Sequence, residues 1–278
     1  MINGWYLYQH AALPSTPPHE KVNILPIENG SIWKCFGWRE PLLVRWTSDW
    51  DSKIETNWWY VIKDTPFELS LLKSKRRYEI KKGIKNFIVK QIDPQMHSED
   101  IFRIAKKAFE TYPISYRPEI EHDKFINSIS KWKYDKVYGA FSVDDSLMYG
   151  YACLTYRGRC CDFQVLKTDP QKEKFGLNAS LVYSLLTDHE QFIKNGGYIC
   201  DGARNIVHET SFQDYLEKYF LFRKAYCKLN ILYRTHIRFA IAFLYPFRTF
   251  ISNFSSVTLM KKISAVLLME EIRRSQVR

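Results

Sequence analysis

The chain has no apolar run long enough to cross a bilayer, no cysteines at metal or redox spacing, and no histidine arranged with a carboxylate and a nucleophile. Each absence excludes a class. The apolar runs Phe239 to Phe247 and Ile263 to Met269 hold nine and seven residues, whereas a spanning helix needs about 20. No basic stretch followed by an apolar one opens the chain, so no signal peptide is expected. The six cysteines, Cys35, Cys153, Cys160, Cys161, Cys200 and Cys227, form no C-x-x-C pair and lie mostly in apolar, strand-like runs. Buried free thiols in a reducing cytosol, with no metal, are the expectation. The seven histidines are scattered, so no triad of the hydrolase kind is expected.

What is present points to a folded protein with localised charge. In 278 residues, 46% are hydrophobic and 16% aromatic, enough for a sizeable, sheet-rich core. The net charge of +11 is unevenly placed: residues 73–90 carry eight Lys/Arg against Glu79, and residues 221–278 carry eleven against Glu270 and Glu271. Two such segments suit surfaces that meet phosphates or anionic lipid, or basic helix faces in water.

Residues 1–62 alternate apolar and polar residues in short runs (WYLYQ, NILPI, SIWKCFGW, PLLVRW, NWWYVI), which predict a β-rich N-terminal part. Trp58, Trp59 and Tyr60 are expected in its core. FELSLLKSKRRYEIKKG then predicts an amphipathic helix through Leu69, Leu72, Arg76 and Ile80, closed by Gly83, with a strand opening at Phe87. SEDIFRIAKKAF predicts a helix capped by Ser98, and HDKFINSISKW another. VYGAFSV, LMYGYACLTY and CCDFQVL form an antiparallel meander. After Asp169-Pro170 come a long helix ending at Gly196-Gly197, the short strand YICDG, an aromatic-rich helix carrying Phe222-Arg223-Lys224, and a last strand. Residues 234–278 predict basic amphipathic helices that pack on the core or lie on a membrane.

This order of elements resembles the GNAT acyltransferase superfamily. The resemblance implies an α+β fold with a mixed, mostly antiparallel central sheet flanked by helices. In that superfamily the loop after the core strand has the pattern Q/R-x-x-G-x-G/A and binds the pyrophosphate of coenzyme A through backbone amides and a helix N-terminus. Here it reads Gln171, Lys172, Lys174, Gly176 and Asn178, with the second small residue displaced to Ala179. Three further segments are similar to the Fem-type aminoacyltransferases of peptidoglycan and polysaccharide biosynthesis. These are Lys75, Arg77, Ile80, Lys82 and Gly83; Gly197 to Asp201-Gly202; and Tyr219 to Phe222-Arg223-Lys224. Fem-type enzymes carry two modules. This chain resembles one, at 63–233, between an N-terminal part at 1–62 and the basic segment at 234–278.

The resemblance implies an N-acyltransferase that moves an acyl group from acyl-CoA to an amine on a sugar nucleotide or lipid-linked saccharide. An aminoacyl-tRNA donor is the alternative within the fold, and a non-catalytic membrane-surface scaffold the alternative outside it. The oxyanion donor would be a backbone N–H in the stretch containing Gln164, Val165 and Leu166. Asp201 and Asp162 are candidates to take the acceptor's proton, with solvent-facing or loop-capping carboxylates as the other reading, and Tyr226 could return a proton to a thiolate. Lys174, Gly176, Asn178, Arg223 and Lys224 would meet the donor, Arg223 being the better partner for a phosphate or carboxylate. The expected location is the cytoplasm, or the inner face of the cell membrane.

Overall fold

The computed structural model of the chain describes residues 4–37, 40–114, 117–206, 211–254 and 258–276. These fall into two compact units, one built from 1–61, 203–211 and 224–278, the other from 62–202 and 212–223. The first and last parts of the chain thus share one unit.

In that unit, β1 (Trp5–Tyr8) and β2 (Ala11–Pro14) form a hairpin, β2 runs parallel to the start of β3 (Leu43–Ser52), and β3 pairs antiparallel with β10 (Arg223–Tyr233). Strand β10 buries Ala225, Cys227, Leu229, Ile231 and Tyr233, the period-two pattern of a strand with one face in a core. That core also takes Trp58, Ile241 from α8 (Thr235–Leu244), Ile251 from α9 (Arg248–Ser252), and Leu267 and Ile272 from α10 (Thr258–Ser275). The C-terminal segment therefore packs one face on the core. Two expected strands are absent. The run NILPI becomes the short helix α1 (Leu25–Glu28), and SIWKCFGW begins with a 3-10 turn, Ser31–Trp33, while its final Trp38 lies outside the described residues. Pro26 suits a first helical turn, and the side chains of Asn23 and Asn29 accept from the amides of Leu25 and Ser31 at 3.0 and 2.9 Å. Local side-chain bonds and a fixed φ outweigh apolar alternation there.

In the second unit, β6 (Lys136–Ser142), β7 (Met148–Arg157) and β8 (Cys160–Thr168) form the antiparallel meander, β5 (Phe87–Gln91) pairs antiparallel with β6, and β9 (Tyr198–Ala203) lies parallel to β8. Residues Met148 to Leu154 of β7 are all buried, as a strand covered on both faces must be. Helix α3 (Ser98–Glu110) turns Ile101, Ile104 and Ala105 onto Val137, Met148, Tyr151 and Cys153. It begins at Ser98 after an N-cap at His97, one residue earlier than the cap placed by sequence. Helix α4 (His122–Ile129) precedes the meander, and α5 (Leu177–Asp188), α6 (Glu190–Lys194) and α7 (Ser211–Phe220) follow it. The whole is a mixed α+β, mostly antiparallel fold in the GNAT-like order.

Three boundaries differ from expectation. Helix α2 spans Ser74–Asn86 and runs through Gly83 instead of ending there, after a separate 3-10 turn at Leu69–Leu71. The expected long helix breaks into α5 and α6 at His189, whose Nδ1 bonds the Leu185 carbonyl at 2.7 Å. Arg223 and Lys224 open β10 and do not sit on a helix.

Candidate active site

Strands β8 and β9 pair through three residues each, Cys160 with Tyr198, Cys161 with Ile199, and Asp162 with Cys200. There the pairing stops, although both strands continue. On its other edge β8 carries a bulge: Leu154 faces Phe163 and Cys153 faces Val165, so Gln164 is the extra residue. A bulge bends its strand and re-aims backbone groups. Accessibility changes at the same point. Cys160, Cys161 and Asp162 are buried, whereas Phe163, Val165 and Leu166 are half-buried and Gln164 is exposed.

Asp201 is the first residue of β9 beyond the paired stretch. Tyr198, Ile199 and Cys200 before it are buried, and Gly202 after it takes a φ of +93°. Burial pushes the Asp201 carboxyl up to about 7, against a hydrogen bond from Gln213 of α7 that favours the ionised form. Phe222 stacks on Phe163 with centroids 6.4 Å apart. The stretch beyond the pairing thus carries a bulged backbone segment, an aromatic pair and a carboxyl that titrates near neutrality.

Asp162, the other candidate base, is tied up differently. It is buried and accepts from Arg157 Nε at 2.7 Å, with the Cys160 thiol 3.4 Å away. Although burial opposes the charge on Arg157, the bond to Asp162 holds its pKa above the usual value. Cys160, Asp162 and Cys200 form a buried cluster with ligand atoms within 4.8 Å of one another, and three ligand atoms of these types could hold a metal. Arg157 already neutralises the carboxylate, and the Cys200 thiol is held well above its ordinary pKa, first by its hydrogen bond with Cys160 and then by burial.

The turn expected to cradle a pyrophosphate is partly occupied by its own bonds and by α2. Residues Pro170–Phe175 form a 3-10 turn, and the amides of Gln171, Lys172 and Gly176 donate to Asp169 Oδ1, Asp169 O and Glu173 O at 3.0, 3.0 and 2.9 Å. Helix α2 covers the same turn. A Cβ on Gly176 would come within 2.7 Å of the Gly83 nitrogen, and one on Gly83 would overlap the Gly176 carbonyl. Lys82 and Asn86 bond the carbonyls of Lys174 and Phe175 at 2.9 and 3.0 Å. Asn178 accepts from Thr168 at 2.7 Å. Lys174 is exposed, as are Lys73, the N-cap of α2, and Lys75, Lys81 and Lys85 within it.

Arg223 belongs to the second unit, where it meets Asp64 through Nε at 3.1 Å and again through Nη2. Beside it is Lys63, the last residue of β4 (Trp59–Lys63), only 2% exposed, with Nζ donating to Thr65 at 2.7 Å. Burial lowers its pKa in spite of Asp64. Sequence reasoning passed over Lys63, because one lysine at a strand end carries no pattern. It passed over Gln213 and Arg157 for the same reason. Lys224 and Tyr226 belong to the first unit. There Lys224 Nζ lies 4.7 Å from the Trp59 ring centroid, Arg204 lies 4.7 Å from it, and the Tyr226 ring is at 6.3 Å. Trp59 is half-buried, so the residue expected in the core is a platform for two cations.

No protein-family model matches the chain, and no curated protein does. Solved structures share the fold. L-PGS from Bacillus licheniformis aligns with a TM-score of 0.50 at 10% identity over 97% of this chain and 85% of its own. The C-terminal domain of a putative lysylphosphatidylglycerol synthetase from Agrobacterium fabrum aligns at 0.51 and 8% identity over 86% of this chain and 82% of its own. FemX aligns at 0.48 and 10% identity over 68% and 65%. At such identities the first two establish a common fold and no more.

Proposed function

We propose that the chain is an acyl-group transferase of the GNAT/Fem-like class that moves an aminoacyl group from a charged tRNA to a nucleophile on a lipid or lipid-linked acceptor. One observation carries this reading: a carboxyl with a pKa of about 7, Asp201, follows the last paired residue of β9, as the bulged stretch at Gln164 follows that of β8. A general base works best with a pKa near the working pH. In the reaction, the acceptor's hydroxyl or amine attacks the ester carbonyl while Asp201 takes its proton. Backbone amides of the Phe163 to Leu166 stretch receive the oxyanion. The intermediate then breaks its bond to the tRNA ribose oxygen, which takes the proton back from Asp201.

The occupied turn supports this choice of donor. The pattern around Gly176 implies acyl-CoA, but the amides of Gln171, Lys172 and Gly176 are spent internally and α2 lies on the turn, which favours a donor held elsewhere. The exposed lysines of α2 supply charge for RNA phosphates. The fold shared with proteins described as lysylphosphatidylglycerol synthetases supports a lipid acceptor by analogy.

The test incubates the full chain with anionic lipid vesicles and either total tRNA charged with radiolabelled amino acids or radiolabelled acetyl-CoA. Label should pass from tRNA to the organic phase, and ribonuclease pretreatment should stop it. Transfer from acetyl-CoA alone would replace this donor with acyl-CoA. Transfer from neither overturns the reading.

A further inference from the structure

Residues 234–269 contain Arg234, Arg238, Arg248, Lys261 and Lys262 and not one Asp or Glu. Within them α8, the turn at Tyr245–Phe247 and α9 bury Ile241 and Ile251 in the core of the first unit. The exposed positions of these elements are where polar residues belong. Instead Phe239, Phe243, Phe247, Phe250 and Phe254 stand out, 65, 74, 53, 64 and 47% exposed. They follow one another at spacings of four, four, three and four residues, the repeat of a single helical face. Their rings associate in pairs, Phe243 with Phe247 at 6.2 Å and Phe250 with Phe254 at 4.9 Å. Water-exposed apolar rows of this length mark a surface that is covered in use.

The charges around the row indicate what covers it. Arg238 and Lys262 are exposed. At the N-terminal end of α8 a cleft of about 750 Å³ is lined by Trp33, Lys34, Arg234, Thr235 and Arg238 among others. Three cations around the positive end of a helix suit a phosphate-bearing head group.

We infer that this face docks on an anionic phospholipid bilayer, with the phenylalanines in the interfacial region and lipid phosphates at the cleft and along the basic rim. An interfacial helix combines an aromatic face with flanking Arg and Lys, and its binding depends on anionic lipid. Helix α10 adds no competing acid, because Glu270 is buried against Arg273 and Arg274, and Glu271 faces Arg248. The proposal does not rest on the transferase reading, since docking needs neither donor nor turnover.

The test is flotation of the full chain with phosphatidylcholine vesicles holding 0 or about 30% phosphatidylglycerol, a range that spans the surface charge of anionic leaflets. The chain should float with the anionic vesicles and much less with the neutral ones. Phe243→Ser with Phe250→Ser should reduce binding by about tenfold or more, and Arg238→Gln with Lys262→Gln should reduce it several-fold and weaken its salt dependence. Circular dichroism should show all variants folded. Equal flotation of wild type and the double serine variant overturns the proposal. So does absence of flotation together with a concentration-dependent dimer that the serine variant abolishes, which would make the row a self-association face.

Discussion

Replacing Asp201 with Asn keeps the shape of the side chain and a partner for Gln213 but removes the charge. In the unfolded chain an aspartate titrates near 3.9, and in the fold burial moves this one to about 7. A folded pKa above the unfolded one means that the group's contribution to stability is full below pH about 4, declines as pH rises, and is gone above about 7. The whole span is about 4 kcal/mol, of which about 3 kcal/mol falls between pH 5 and 8. Asn has no such dependence, and other groups titrate alike in both proteins. The stability of D201N relative to wild type should therefore grow by about 3 kcal/mol from pH 5 to 8. With a urea m-value of about 3 kcal/mol/M for a chain of this size, the gap in midpoint should widen by about 1 M. Tryptophan fluorescence at four pH values measures it. In the transfer reaction, wild-type kcat/KM should rise with pH and level off above about 7, while D201N should be about 10²- to 10⁴-fold slower. A midpoint gap that stays constant from pH 5 to 8 would mean an ordinary solvated carboxylate, and the assignment of a base here would fail.

Gly83→Ala should cost about 2 kcal/mol or more in urea unfolding, since its methyl would strike the backbone of Gly176; a change under about 0.5 kcal/mol would show that the two helices are not in contact. A thiol reagent should modify native protein at one fast site, because Cys35 is half-buried while the other five cysteines are buried, and burial lifts the thiols of Cys161 and Cys227 to about 12. Two or more fast sites would contradict that packing. Lys81→Glu with Lys85→Glu should weaken tRNA binding and lower the slope of log K against log salt by about 2, with no effect expected on vesicle flotation.

The sequence made the meander, the order of helices and the closing strand readable because each rests on periodicity and on turn residues at its ends. Gly83 misled for a physical reason. A glycine after an amphipathic run usually ends a helix, but here it lets two backbones touch inside the fold, and only the partner at Gly176 reveals that. Arg223 and Lys224 were legible as cations and not as a pair split between a carboxylate and a tryptophan ring. Asp201 stands out in the sequence by its place in a strand ending Asp-Gly, yet its pKa depends on burial that no local pattern encodes. The end of the β8–β9 pairing was equally invisible, since both strands keep strand-like composition beyond it.

Net charge alone treated the two basic segments as equals, and side-chain partners separate them. In 221–278, Arg223, Arg248, Arg273 and Arg274 pair with carboxylates, and the segment exposes, besides the phenylalanine row, the cations Lys228, Arg238 and Lys262. In 73–90, Arg76 bonds the Lys218 carbonyl and lies over Tyr219, while Lys73, Lys75, Lys81 and Lys85 remain exposed beside few outward apolar rings. A polyanion is bound through charge density and loses affinity steeply with salt. A bilayer surface is bound through apolar insertion, which salt does not screen, together with electrostatic attraction. Salt should therefore abolish tRNA binding at concentrations where vesicle binding is only reduced, and a common salt profile for both would mean that one surface serves both ligands.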